Sequence, residues 1–157
     1  MDAYLTLRVL HILGAMVLFG TGMGTAFAMW AAHLRGDVRA IAVVARNVVL
    51  ADWLFTAPAV VVQPVTGALL MAQRGIAWDE PWVLAALALY VLTGACWLPV
   101  VWLQIRVRDL AVAAAETGAP LPPLYHRHMR AWFILGWPAF AAVLGILVLM
   151  VARPDLG

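Results

Sequence analysis

An ionisable imidazole lies early in the first long apolar stretch of the chain. His11 belongs to residues 4–30, where the only charged side chain is that of Arg8. A polar side chain in the hydrocarbon of a bilayer is costly unless it faces other helices and finds a partner there. An imidazole in that position can bind iron, relay protons, or form a hydrogen bond that serves packing. We therefore take His11 as the leading candidate functional residue.

Small residues share a helical face with His11. At helical intervals of three, four, seven and eleven residues the chain places Gly14, Ala15, Leu18 and Gly22. A groove of this kind either lets another helix approach closely, as Gly20 and Gly24 would in a GxxxG contact, or leaves room for a flat macrocycle. In the second case the imidazole would ligate the iron of a haem.

The composition indicates a membrane protein. Of 157 residues, 66% are hydrophobic and 11% are charged, whereas soluble domains average about half apolar and a quarter charged. All ten basic residues are arginines, and most of them lie in the connections between the apolar stretches, where membrane topology explains them, so nucleic-acid binding is not implied. The single cysteine, Cys96, excludes an internal disulfide framework and is expected to be a small core residue.

Four apolar spans are predicted, at about 4–32, 48–73, 82–105 and 131–152. They predict one all-α transmembrane domain covering 1–157, a four-helix bundle with antiparallel neighbours and a tight hairpin at 74–81. Between the first two spans, Ala40 to Ala45 is expected to form a short interfacial turn, with Arg46 and Asn47 closing the connection. The third helix is expected to continue beyond the membrane as far as Glu116.

The arginines predict the orientation of the bundle. Seven lie on one side, in the first and third connections: Arg35, Arg39, Arg46, Arg106, Arg108, Arg127 and Arg130. Three lie on the other side: Arg8, Arg74 and Arg153. Basic residues accumulate on the cytoplasmic side, so both termini are expected on the outer, periplasmic side of a bacterial inner membrane. The tryptophans expected at the inner interface are Trp30, Trp53, Trp102 and Trp132, and those at the outer interface are Trp78 and Trp82.

The helical rise indicates which residues can meet His11. Thr66 and Gly67 lie at a similar depth on the second span, residues 88–90 on the third, and 145–150 on the fourth. The other histidines lie on the opposite side, so a bis-histidine haem at His11 is not expected. The second iron ligand would be Met150, Met71 or a tyrosine, or the position would stay open. The alternatives are a neutral His11 bonded to a group such as Thr66 for packing, or a proton relay.

Further polar residues carry less specific expectations. Asp52 is expected near the membrane interface in an ion pair with Arg46 or Arg130, with a proton path as the alternative. Gln63 is expected to face inward, either at a polar cavity or in one hydrogen bond between helices. His126 and His128 are expected to contact anionic lipid headgroups.

Three short segments carry a family resemblance. Residues 10–14 (LHILG), 127–132 (RHMRAW) and 149–154 (LMVARP) together resemble a family of short four-span bacterial membrane proteins of unknown function. That family is in turn similar to the HemJ-type protoporphyrinogen oxidases, which are four-helix b-haem membrane proteins, and to the membrane domain of CopD proteins. The resemblance implies that His11 is the haem ligand. The HemJ pattern has a lysine early in the third helix, where this chain has Ala86 and no lysine anywhere.

Three functional hypotheses follow. The first is a b-haem-binding membrane protein acting in electron transfer or porphyrin oxidation, with His11 as ligand and with Gly14, Ala15, Gly22 and Met150 around the cofactor. The second is a non-catalytic accessory subunit whose apolar helices pack against a larger membrane complex, with His11 as a satisfied core residue. The expected partners are the lipid bilayer and either another membrane protein or further copies of this chain. The third is transport of a small solute or metal ion near Gln63 and Asp52.

Overall fold

Residues 2–154 are described in the computed structural model, and they form long helices joined by short links. The elements are α1 (Ala3–Arg35), α2 (Val38–Ala51), a π-helical turn (Asp52–Thr56), α3 (Ala57–Arg74), α4 (Pro81–Thr117) and α5 (Pro123–Ala152). The π-helical turn joins α2 and α3 into one continuous helix, Val38–Arg74. Four helices are thus long and apolar enough to cross a membrane, which confirms the predicted all-α, four-helix membrane bundle.

The link between the first two helices is shorter than predicted. The first helix ends at Gly36, whose φ of 71° is the left-handed conformation that glycine adopts without strain. The Asp37 carboxylate then accepts hydrogen bonds from the backbone N–H groups of Arg39 and Ala40, at 2.9 and 3.2 Å, and starts α2. The prediction that the connection runs on to Asn47 was therefore wrong.

Two ends of the bundle can be distinguished. The terminal end contains the start of α1, the 75–80 link and the end of α5; the Gly36 end contains the 36–37 and 118–122 links. The largest buried apolar cluster lies toward the Gly36 end, and it includes Met29, Ile41, Val48, Leu103, Val107, Ala111, Tyr125, Met129 and Trp132. Helix α4 runs to Thr117 and so contributes to this core beyond its predicted span, as expected.

The helices differ in which neighbours they pack against. Helix α1 packs along α2 and α3, while α4 packs along α5 and against α2. Helices α1 and α5 meet where the rings of Phe19 and Phe140 stack, 5.5 Å apart. Of the tryptophans expected at the inner interface, Trp132 is buried in the core, whereas Trp30, Trp53 and Trp102 are exposed.

Candidate functional site

His11 faces α3, at the depth that the sequence predicts. Its Nδ1 atom lies 2.8 Å from the Thr66 hydroxyl oxygen. The imidazole also lies against Gly67: a Cβ atom placed there would be 3.3 Å from His11 Cε1. Both predicted neighbours on the second span are thus found in contact with the imidazole.

The hydroxyl of Thr66 indicates which nitrogen of His11 carries the proton. Thr66 Oγ1 lies 2.8 Å from the carbonyl oxygen of Val62 in the preceding turn, where it donates its only proton. Its lone pairs are then available to accept a hydrogen bond from His11 Nδ1–H. With Thr66 donating to Val62, His11 Nδ1 would carry the proton and Nε2 would be unprotonated; no hydrogen bond to Nε2 is formed within residues 2–154.

Gln63 completes the seam between α1 and α3. Its side-chain Nε2 donates to the backbone carbonyl of His11 at 2.9 Å and lies beside Gly14, where a Cβ would come within 3.1 Å of it. Gln63 is buried, as predicted, and the interhelical hydrogen bond is the second of its two predicted roles. Gly14 therefore admits a neighbouring helix in this structure, which is one of the two possibilities for the small-residue groove.

A proline within α3 provides a second contact between helices. Pro64 has no N–H, so the carbonyl of Val60, four residues earlier, loses its helical partner. The hydroxyl of Tyr90 on α4 donates to that carbonyl. The unpaired backbone group created by Pro64 is thus satisfied by a side chain from the neighbouring helix, as the membrane interior requires.

The remaining predicted cofactor residues lie around this seam. Since α1 and α5 run antiparallel from the Phe19–Phe140 stack, His11 is level with about residue 148, and Met150 lies about 3 Å further toward the terminal end. Ala15 is half-buried, whereas Gly22 has no other atom within 4 Å of an added Cβ. The same is true of Gly20 and Gly24, so within residues 2–154 no helix packs on the GxxxG pair.

Asp52 does not form the ion pair that was predicted for it. It is buried at the start of the π-helical turn, and its Oδ1 accepts a hydrogen bond from the Thr56 hydroxyl at 2.9 Å. Arg46 instead lies 3.8 Å from Glu116 at the Gly36 end. The predicted interfacial ion pair of Asp52 with Arg46 or Arg130 was therefore wrong. Asp52 and Gln63 are separated by eleven residues, or about 16 Å of helix.

A histidine and tyrosine cluster at the Gly36 end was not anticipated. His33 Nδ1 lies 3.2 Å from the hydroxyl of fully buried Tyr125, and the rings of His33 and His126 are 5.8 Å apart. These residues lie outside the predicted spans. Burial, and then the neighbouring His126, lower the pKa of His33, and burial raises the pKa of Tyr125 to about 12. His128 packs instead on Trp102, at 5.5 Å between ring centroids.

The described residues contain no group of three or more His, Cys, Asp or Glu side chains that could hold a metal ion. A haem would need only one protein ligand, so that finding does not bear on it.

Comparison with known proteins identifies a family but no characterised relative. Neither the curated proteins nor the solved structures include a significant match. A family model matches residues 5–154, nearly the whole chain, including both sides of the His11 seam. The chain therefore belongs to the family described as predicted integral membrane protein (DUF2269).

Proposed function

We propose that this chain is a b-type haem protein of the bacterial inner membrane that serves electron transfer, with His11 as an axial ligand. The supporting observation is the pairing of His11 with Thr66. One ring nitrogen is held by the hydroxyl at 2.8 Å, and the other, Nε2, is left with a free lone pair. An iron-binding histidine is typically held in this way, by a hydrogen bond from the nitrogen that does not bind the metal.

The neighbouring residues fit such a ligand. Gln63 ties the His11 backbone to α3, and Gly67 lets the imidazole lie close to the helix, so the ring is fixed in position and tautomer. A haem bound to Nε2 would supply one-electron redox chemistry. The protein's own contribution is to hold the ligand, to exclude water with its apolar helices, and to adjust the basicity of the imidazole through Thr66.

The second ligand follows from depth along the helices. Met150, about 3 Å from the level of His11, would be the second residue to hold a haem, since two strong ligands favour electron transfer over chemistry at an open iron. We favour electron transfer over porphyrin oxidation because Ala86, where the HemJ pattern has a lysine, is buried at 4% exposure. A lysine side chain would not fit there without displacing its neighbours.

The membrane orientation is part of the proposal. Most arginines lie toward the Gly36 end, including Arg46, whose side chain extends to Glu116. We therefore assign the Gly36 end to the cytoplasm and both termini to the periplasm. Single cysteines placed in the 75–80 link of a Cys96→Ala protein should react with a membrane-impermeant maleimide in intact cells. Reaction only after the cells are opened would reverse the assignment.

The absorption spectrum tests the haem directly. Protein purified from cells supplied with a haem precursor should show a Soret band, and His11→Ala should lose it. His33→Ala is the matched control, because it removes a histidine from the same helix at the opposite end of the bundle. Thr66→Val should retain haem but shift the reduction potential, because the imidazole loses its hydrogen-bond partner.

Two results would overturn the proposal: a colourless wild-type protein that takes up no added haem, or a His11→Ala protein with an unchanged spectrum. A Met150→Leu protein whose spectrum equals that of the wild type would refute only the second ligand.

A colourless protein would favour a second function, that of an accessory subunit. The supporting observation is the open face of α1, where Gly20 and Gly24 have no contact within 4 Å of an added Cβ. Such a face allows close packing of another transmembrane helix. Gly20→Leu should then abolish co-purification of a membrane partner.

A further inference from the structure

Toward the Gly36 end of the bundle, three buried polar side chains each have an atom without a partner. They are Asp52 (6% exposed), Gln104 on α4 (7%) and Trp132 on α5 (6%). The unpartnered atoms are Asp52 Oδ2, Gln104 Oε1 and Trp132 Nε1. Unsatisfied polar atoms are expensive in a membrane interior, so three of them on packed helices require an explanation.

Gln104 connects the other two residues. Its side chain lies close enough to Asp52 to interact with the carboxyl group. Gln104 and Trp132 also both line one small cavity, of about 10 Å³, together with apolar residues such as Met29, Val48 and Met129. A cavity of that size accommodates about one water molecule. A water there would accept from Trp132 Nε1–H and donate to Gln104 Oε1, which satisfies both atoms.

The π-helical turn places Asp52 on this face. In the turn, the N–H of Ala57 bonds to the carbonyl of Asp52, five residues back. One extra residue is thus accommodated directly before Pro58, which cannot donate a backbone hydrogen bond. Single π-helical turns inside α-helices occur frequently at functional sites.

The surroundings of Asp52 provide no counter-charge. Helices α1, α2 and α3 all contact the turn, and α4 contributes Gln104. The side chains that interact with the carboxyl are Thr56 and Gln104, and neither of them titrates. The ion pairs within residues 2–154 are Arg46–Glu116 and Arg108–Asp109, so no arginine pairs with Asp52. An ionised, unpaired carboxylate that is buried to this extent would be strongly disfavoured.

We propose that Asp52, Gln104 and Trp132 form a buried proton-binding site, in which Asp52 carries a proton on Oδ2 and one water molecule bridges Gln104 and Trp132. The Gln104 amide can present its carbonyl to the protonated acid or its NH₂ group to the carboxylate, so the site can hold the proton and release it. A monovalent cation is the competing occupant, and Trp132 disfavours it because its N–H is a donor with no lone pair to offer.

This site is separate from the proposed haem site. Asp52 lies fourteen residues from Thr66 on the same continuous helix, which is about 21 Å along its axis. His11→Ala should therefore leave the Asp52 signals described below unchanged, and the two proposals can fail independently.

Infrared spectroscopy of the full-length protein in lipid vesicles tests the site. At neutral pH the wild type should show the C=O stretch of a protonated carboxyl group, with a downshift in D₂O. Asp52→Asn, an uncharged side chain of the same shape, should lack that band. Asp109→Asn is the control, because Asp109 is an exposed acid that pairs with Arg108 at 2.7 Å. Trp132→Phe should remove an ordered-water O–H band that shifts in H₂¹⁸O.

Gln104→Leu keeps the test valid if Asp52→Asn does not fold. It retains the acid and removes its amide neighbour, so the carboxyl band should change in frequency. The proposal is overturned if the band is the same in Asp52→Asn as in the wild type, or if Gln104→Leu leaves its position unchanged. It is also overturned if the band disappears when choline in the buffer is replaced by sodium at constant pH, because the occupant would then be a cation.

Discussion

The hydrogen bond between His11 and Thr66 should appear as an energetic coupling between the two residues. His11→Leu and Thr66→Val remove one partner each, and the double variant removes both. Thr66→Val alone leaves the imidazole N–H without an acceptor at a part-buried site, so it should be more destabilising in the wild type than in the His11→Leu background.

The size of the coupling can be estimated from the geometry. Side-chain hydrogen bonds between transmembrane helices couple by about 0.6 kcal/mol on average and by about 1.7 kcal/mol at most. The His11–Thr66 distance of 2.8 Å is short and Thr66 is buried. We therefore expect a coupling in the upper half of that range, about 1 to 1.7 kcal/mol.

The assay is reversible unfolding in mixed micelles, in which the fraction of a denaturing detergent is increased stepwise. The protein is made without a haem supply, so that no cofactor contributes to its stability. A control cycle combines His11→Leu with Thr93→Val, because the Thr93 hydroxyl bonds only to Leu89 of its own helix, at 2.8 Å. The control pair should be additive to within about 0.3–0.5 kcal/mol. Equal coupling in both cycles would refute a specific bond at His11.

Three further outcomes are expected. Gly67→Ala should destabilise the bundle by about 1–3 kcal/mol, because the added Cβ would lie 3.3 Å from the imidazole of His11. Gly20→Ala is the control and should change the free energy of unfolding by less than about 0.5 kcal/mol. Equal effects of the two substitutions would contradict the packing of His11 on Gly67. Tyr90→Phe should lower the free energy of unfolding by about 1–2 kcal/mol in the wild type, because the carbonyl of Val60 loses its donor. The same substitution should have little effect in Pro64→Ala, because the backbone N–H of Ala at position 64 can then donate to that carbonyl. Because the pKa of His33 is lowered on folding, the unfolded chain binds more protons below pH 6.5, so stability should fall as the pH drops through that region. In His33→Phe that part of the pH dependence should disappear, and an unchanged profile would assign it to another group.

The helices and the neighbours of His11 were predictable because both depend only on distance along the helix axis. Long apolar runs define membrane helices by length, and a rise of about 1.5 Å per residue then sets which residues share a depth. Thr66 and Gly67 were placed at the depth of His11 on that basis, and both contact its imidazole.

Rotation about the helix axis was less predictable than depth. Asp52, the first residue of the π-helical turn, interacts with Gln104 and not with the arginines at its end of the bundle. Trp132 has the depth of an interfacial residue, but it faces the core. The start of α2 could have been read from the sequence, since Gly36 and Asp37 are a helix stop followed by a cap.

The polar residues in the membrane part of the second long helix share one face. Asp52, Thr56, Gln63 and Thr66 are all buried, at spacings of four, seven and three residues, while the side chains exposed between them are apolar. Apolar side chains of similar volume would pack there without the cost of desolvating polar groups, so packing alone does not account for the stripe. At one end of this stripe Thr66 binds the imidazole of His11, and at the other end lies the carboxyl of Asp52. This arrangement is expected if a redox group and a proton-binding site act in the same protein. Measuring the infrared band of Asp52 while a bound haem is reduced would test that connection: a change that is lost in Thr66→Val would link the two sites, and an unchanged band would show that they act separately.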